Sequence, residues 1–107
     1  MSLDVYLTEF EPTDVYTANI THNLTGMANE AGIYQHLWHP EELGITKAQQ
    51  LIEPLQQSLI LMRRESWRFK KLNAKNGWGT YEDFCKFVMD YLTACTEHPN
   101  ADVSVHR

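Results

Sequence analysis

The chain has 107 residues, 43% of them hydrophobic and 11% aromatic, and a formal net charge of −5 at pH 7. That length supports one hydrophobic core, so a single domain over residues 1–107 is expected, and the composition excludes a disordered chain, which would be poorer in apolar residues and richer in charge. No apolar run approaches the roughly 20 residues of a membrane-spanning helix, and Met1-Ser2-Leu3-Asp4 lacks the basic and then apolar start of a secretory signal, so the expectation is a cytoplasmic protein without membrane association.

Leu3 to Thr8 alternates apolar with more polar positions and is rich in strand formers, which predicts a half-buried strand. Turn chemistry follows at Glu11-Pro12-Thr13-Asp14, and Val15 to Ala18 is expected to return as a second strand. From Thr21 the period changes: Leu24, Met27, Ala28, Ala31, Tyr34 and Trp38 share one helical face, with Thr21 or Asn19 as cap and His39-Pro40 as stop. Gly44 ends a short turn that Pro40 opens. Thr46-Lys47-Ala48-Gln49 then has the form of a capping box for a second helix along Ala48, Leu51, Ile52, Leu55, Leu59 and Met62, which Pro54 is expected to kink.

Arg64 to Gly79 has weak periodicity and two glycines, and reads as a loop with a helical turn near Trp67. Thr80 to Asp83 resembles a capping box, and Tyr81, Phe84, Cys85, Val88, Leu92 and Cys95 continue as the third helix. Asp102 to His106 alternates as a last strand, and its backbone groups need a partner, for which the N-terminal strand or hairpin is the natural choice. The fold class is therefore α+β, with three helices packed on a small antiparallel sheet formed by the N- and C-terminal strands. Cys85 and Cys95, ten residues apart on one helix, are about 15 Å apart along its axis. That spacing leaves both as free thiols.

Three places concentrate functional chemistry. Asn19, Thr21, His22 and Asn23 stand at the start of the first helix, where hydroxyl, amide and imidazole groups join unpaired backbone N–H groups. Gly77-Trp78-Gly79 with Tyr81 forms a second such junction, in which glycines allow close backbone approach and aromatics offer contact area. It has neither the spacing nor the Lys-Ser/Thr ending of a phosphate-binding loop. The third is a basic segment: the first 46 residues hold seven acids and no Lys or Arg, whereas Arg63, Arg64, Arg68, Lys70, Lys71 and Lys75 lie within thirteen positions beside Trp67 and Phe69. Net acidity nevertheless argues against nucleic acid as the partner. His36 and His39 are three apart, but no third ligand has metal spacing, so neither a metal nor another cofactor is expected.

The runs Asn19 to Leu24, Leu37 to Glu42 and Asn76 to Glu82, with the ending Asn100-Ala101-Asp102-Val103, resemble a family of small proteins from bacteria, plasmids and phages that carries no assigned activity. The resemblance covers nearly the whole chain after residue 15. It implies a compact intracellular domain of bacterial or phage origin, with no catalytic role to carry over. The chain departs from the family around Arg64 to Trp67, where relatives tend to have a proline and an acidic residue, which makes the basic cluster particular to this protein. The resulting expectation is a non-enzymatic phage- or mobile-element-associated binding protein that engages a protein partner or a small anionic ligand, with Trp38, Trp67, Trp78 and Tyr81 as aromatic anchors. Two alternatives stand beside it: a small hydrolase or transferase using His22, and a nucleic-acid accessory protein using Arg63 to Lys75. A strand edge at the chain termini leaves a homodimer open.

Overall fold

Alternation in the first strand organises the sheet. In the computed structural model, which describes residues 2–10 and 13–107, β1 (Ser2–Phe10) is the central strand of an antiparallel sheet, between β2 (Thr13–Thr21) and β3 (Asp102–His106). Leu3, Val5 and Leu7 are fully buried on one face, and each such burial is worth roughly 1.5 to 3 kcal/mol. Opposite them stand Ile20, Ala18 and Tyr16 of β2, and β3 places Val105 beside Val5 and Val103 beside Leu7. Both chain ends thus build the sheet, as the strand patterns predict. The second strand runs further than Val15 to Ala18, because pairing with β1 continues to Ser2 opposite Thr21. Leu7 faces Tyr16 while Thr8 faces Asp14, which leaves Val15 as the extra residue of a bulge. Part of the turn expected at Glu11 to Asp14 lies outside the described residues.

The first helix differs from its expectation. Instead of one helix to Trp38, the chain makes a 3-10 turn (His22–Leu24), α1 (Thr25–Glu30) and α2 (Tyr34–Trp38). Gly32 is the cause: it has φ +78°, its N–H donates to the Asn29 carbonyl and the Ile33 N–H to the Ala28 carbonyl, a paired closure that ends a helix. The apolar period continues through the break because both short helices face the same core.

Two long helices complete the fold. α3 (Gln49–Arg64) runs as one element through Pro54, and α5 (Tyr81–Glu97) packs against it. The start of α3 is tied to the approach to β3, with the Ala48 and Gln49 N–H groups donating to the Ala101 and Pro99 carbonyls. Gln50, not Gln49, closes its first turn: the Gln50 side-chain oxygen accepts from the Thr46 and Lys47 N–H groups at 2.8 and 2.9 Å. The helical turn expected near Trp67 is a short α4 (Ser66–Lys70), anchored by buried Phe69. Cys85 and Cys95 are both free thiols, and burial pushes the Cys95 thiol up to about 12.

Candidate functional site

The two junctions singled out by sequence meet in space. At the first, the Thr21 hydroxyl accepts from the Asn23 N–H at 3.2 Å; at the second, the Thr80 hydroxyl accepts from the Asp83 N–H at 3.1 Å. Between them lies a tightly tied loop, in which Trp78 N–H donates to the Asn76 side-chain oxygen, Ala74 N–H to the Gly79 carbonyl and Gly77 N–H to the Ala74 carbonyl. Asn23 joins the junctions by donating its amide to the Trp78 carbonyl at 3.0 Å. Gly79 has φ +109°, and a Cβ there would stand 3.1 Å from the Thr21 methyl and from Leu24 Cγ, so the approach of the two segments depends on glycine. The product is a cleft of about 400 Å³ lined by Asn19, Thr21, Trp78, Asp83 and Phe87 among others. Trp78 stands over it with 70% of its surface exposed.

Several of the expected site residues have other work. Trp38 is 1% exposed and Tyr81 9%, which removes both as surface anchors; the Tyr81 hydroxyl donates to the Met62 carbonyl at 2.8 Å inside the core. Asn19 donates across the sheet to Asp4 and Ser2 at 2.7 and 2.8 Å. His22 accepts at Nδ1 from the Trp38 indole N–H at 3.1 Å, and its Nε2 is buried without a partner. Neither ring nitrogen is presented to a substrate, which counts against His22 as a general base. Sequence missed these assignments because helical spacing places Trp38 and Tyr81 on a face without saying whether that face is covered.

The chemistry of the helix starts also narrows the ligand. At α5 the Tyr81 N–H is taken by the Asn73 side chain at 2.7 Å and the Asp83 N–H by Thr80, while Glu82 and Asp83 place two carboxylates in the first turn. Those carboxylates already answer the helix dipole and repel an incoming anion. Elsewhere His39, Glu41 and Glu42 bring possible ligand atoms within 4.8 Å of one another. Arg107 occupies Glu41 at 2.9 Å and holds its carboxyl below the usual range, so one of these three groups already has a partner, and His39 Nδ1 lies 3.5 Å from Glu42. His36 is outside it, with burial pushing its imidazole down.

The basic segment is divided. Arg68 bridges Glu30 and Glu65, at 2.5 and 3.2 Å, and is thereby neutralised rather than offered to a ligand. Arg63, Arg64, Lys70 and Lys71 are exposed, with Lys70 over the Tyr81 ring and Lys71 over the Trp67 ring. Trp67 is 66% exposed, but Lys71 lies over the ring on which a base would stack.

What sequence reasoning overlooked is a stripe along α5. Asp83, Phe87, Asp90, Ala94 and Glu97 recur at four- and three-residue steps, and each lines a cleft between α5 and β2. The spacing is present in the sequence, but nothing local distinguishes these carboxylates from an ordinary solvated face. Tyr16 stacks on Tyr91 at 5.9 Å in the floor of this region, and burial together with the Asp90 carboxylate pushes its phenol up. No protein-family model matches the sequence, and no curated protein or solved structure matches it either.

Proposed function

We propose that this chain is a small non-enzymatic binding protein that receives a protein partner in the cleft between its two junctions, with Trp78 as the aromatic anchor. The observation that carries the reading is the presentation of Trp78: a large apolar side chain held 70% exposed on a loop whose backbone is tied at Asn76, Ala74 and Asn23. An exposed indole gains the fold no apolar burial, whereas an anchor on a backbone that is already tied loses little chain entropy on binding. A protein partner is favoured over a small anion because Glu82 and Asp83 oppose negative charge at the start of α5. A phage or mobile-element setting rests on the sequence resemblance alone.

The test is affinity capture from the source cell with wild-type and Trp78→Ala baits of equal fold, judged by circular dichroism, followed by calorimetric titration of the captured partner into each, with indole fluorescence as a second readout for wild type. The expected result is a stoichiometric partner that shifts the emission of wild type to shorter wavelength and whose affinity drops by about a hundredfold or more in the variant, the range of an interface hot spot. A partner that binds both baits alike removes the cleft from the interface.

A further inference from the structure

The outer edge of β2 is the feature that the junction cleft does not by itself use. Among the described residues β2 pairs with β1 alone, so every second residue from Tyr16 to Thr21 turns its N–H and C=O away from the sheet. Strand edges are ordinarily blunted by lysine, proline or a covering segment. Tyr16-Thr17-Ala18-Asn19-Ile20-Thr21 contains neither residue, and its register with β1 is regular once the Val15 bulge is passed. The opposite edge is treated differently: Val103 N–H donates to the Thr46 carbonyl, and Lys47 pairs with Asp102 across an isolated bridge.

Beside this edge, α5 runs in the opposite direction. Thr21 shares a cleft with Asp83, Ala18 and Asn19 share the next with Asp90, and Val15 and Tyr16 share the last with Glu97. These clefts measure about 400, 220 and 290 Å³. The edge from Tyr16 to Thr21 is about 17 Å long at the rise of a strand. The stripe from Asp83 to Glu97 is about 21 Å long at the rise of a helix. Edge and groove are therefore comparable in length, and side chains from one face of an added strand would meet the clefts in succession.

We propose that β2 takes up an extended, basic peptide segment of its partner as a fourth strand, laid over the acidic stripe of α5 with Trp78 closing one end of the groove. Charge selects the occupant. Asp83, Asp90 and Glu97 line the groove against Lys86, which is itself tied to Asp90 at 2.7 Å, and His98, which faces Glu9 at 2.9 Å. A second copy paired edge to edge would set two such acidic stripes against each other, a like-charge juxtaposition that disfavours it. Backbone pairing supplies affinity and the clefts and carboxylates supply selection, as in other strand-addition sites. This rests on the reading of the junction cleft as the binding site and extends it along β2.

The experiment is selection of a random twelve-residue displayed peptide library on the full chain, followed by amide and indole chemical-shift mapping with the selected peptide made synthetically. The strand-addition mode is then tested with the same peptide N-methylated at alternate residues. Enrichment of lysine- or arginine-rich peptides, shifts at the Tyr16 to Thr21 amides and the Trp78 indole, and about a tenfold or greater loss of affinity on N-methylation or in Asp90→Lys would support the proposal. No enriched peptide, acidic peptides, or indifference to N-methylation would overturn it. Shifts confined to Gly77 to Gly79 and Trp78 would leave the junction cleft standing while removing strand addition, whereas shifts that miss both Trp78 and β2 would remove both. Concentration-dependent dimerisation through the β2 amides without peptide would overturn the peptide in favour of a second copy.

Discussion

Trp38 and Trp78 show how far apart two residues of one type can be put. The first donates its indole N–H to His22 inside the core, and the second is held in water by a loop closed on itself. Gly79 makes that loop fit, since its φ of +109° is unavailable to a side-chain-bearing residue without strain and its Cα faces Thr21 and Leu24 closely. Gly79→Ala is expected to lower the unfolding free energy by about 1 to 3 kcal/mol in urea denaturation, with the loop that carries Trp78 drawn away from Thr21 and Leu24. Tyr81 carries a pH dependence. Burial pushes its phenol up to about 12, against about 10 in the unfolded chain, so the neutral form is the one the fold favours. Its contribution is complete below pH 10 and is lost as pH rises toward 12, up to roughly 2 kcal/mol. Denaturation at stepped alkaline pH should show that loss in wild type and a shallower slope in Tyr81→Phe, where buried Tyr91, whose phenol is also pushed up by burial, still contributes.

At the scale of elements, capping and pattern explain most boundaries. Thr80 caps α5 as its sequence predicts, and Thr80→Ala is expected to cost about 1 kcal/mol and to speed hydrogen exchange at the Asp83 amide, which loses its acceptor. α3 shows the limit of local reading: a capping box places Gln49 at the closing position, yet Gln50 makes the bonds because the Ala48 and Gln49 amides are already given to Ala101 and Pro99. Those partners lie some fifty residues away in the chain. The broken first helix is a similar case, since the apolar period is uninterrupted and only the closure around Gly32 divides it. α4 is the helical turn expected near Trp67, legible only weakly because Phe69 is the one residue in it that is buried.

For the whole molecule, β1 joins everything, with β2 on one side and the chain's end on the other. β3 supplies Val103 and Val105 to the core face, and Arg107 beyond it donates to the Trp38 carbonyl at 2.7 Å and to Glu41. Truncation after Ala101 leaves β1 with an unpaired edge and a buried face partly uncovered. It is expected to abolish cooperative thermal unfolding, read as loss of a sharp calorimetric transition. The sequence by itself determined the α+β class, the apolar first strand, the two long helices and the two junctions, because alternation, helical period and capping chemistry are encoded within a few neighbouring residues. Only the tertiary structure decided that the junctions meet, that Trp38 and Tyr81 are buried while Trp78 is not, that Arg68 is consumed by Glu30 and Glu65, and that the acidic stripe of α5 borders the edge of β2. Each of these depends on which faces are brought together across the chain, and the spacing of residues along one element carries no information about what packs on the other side.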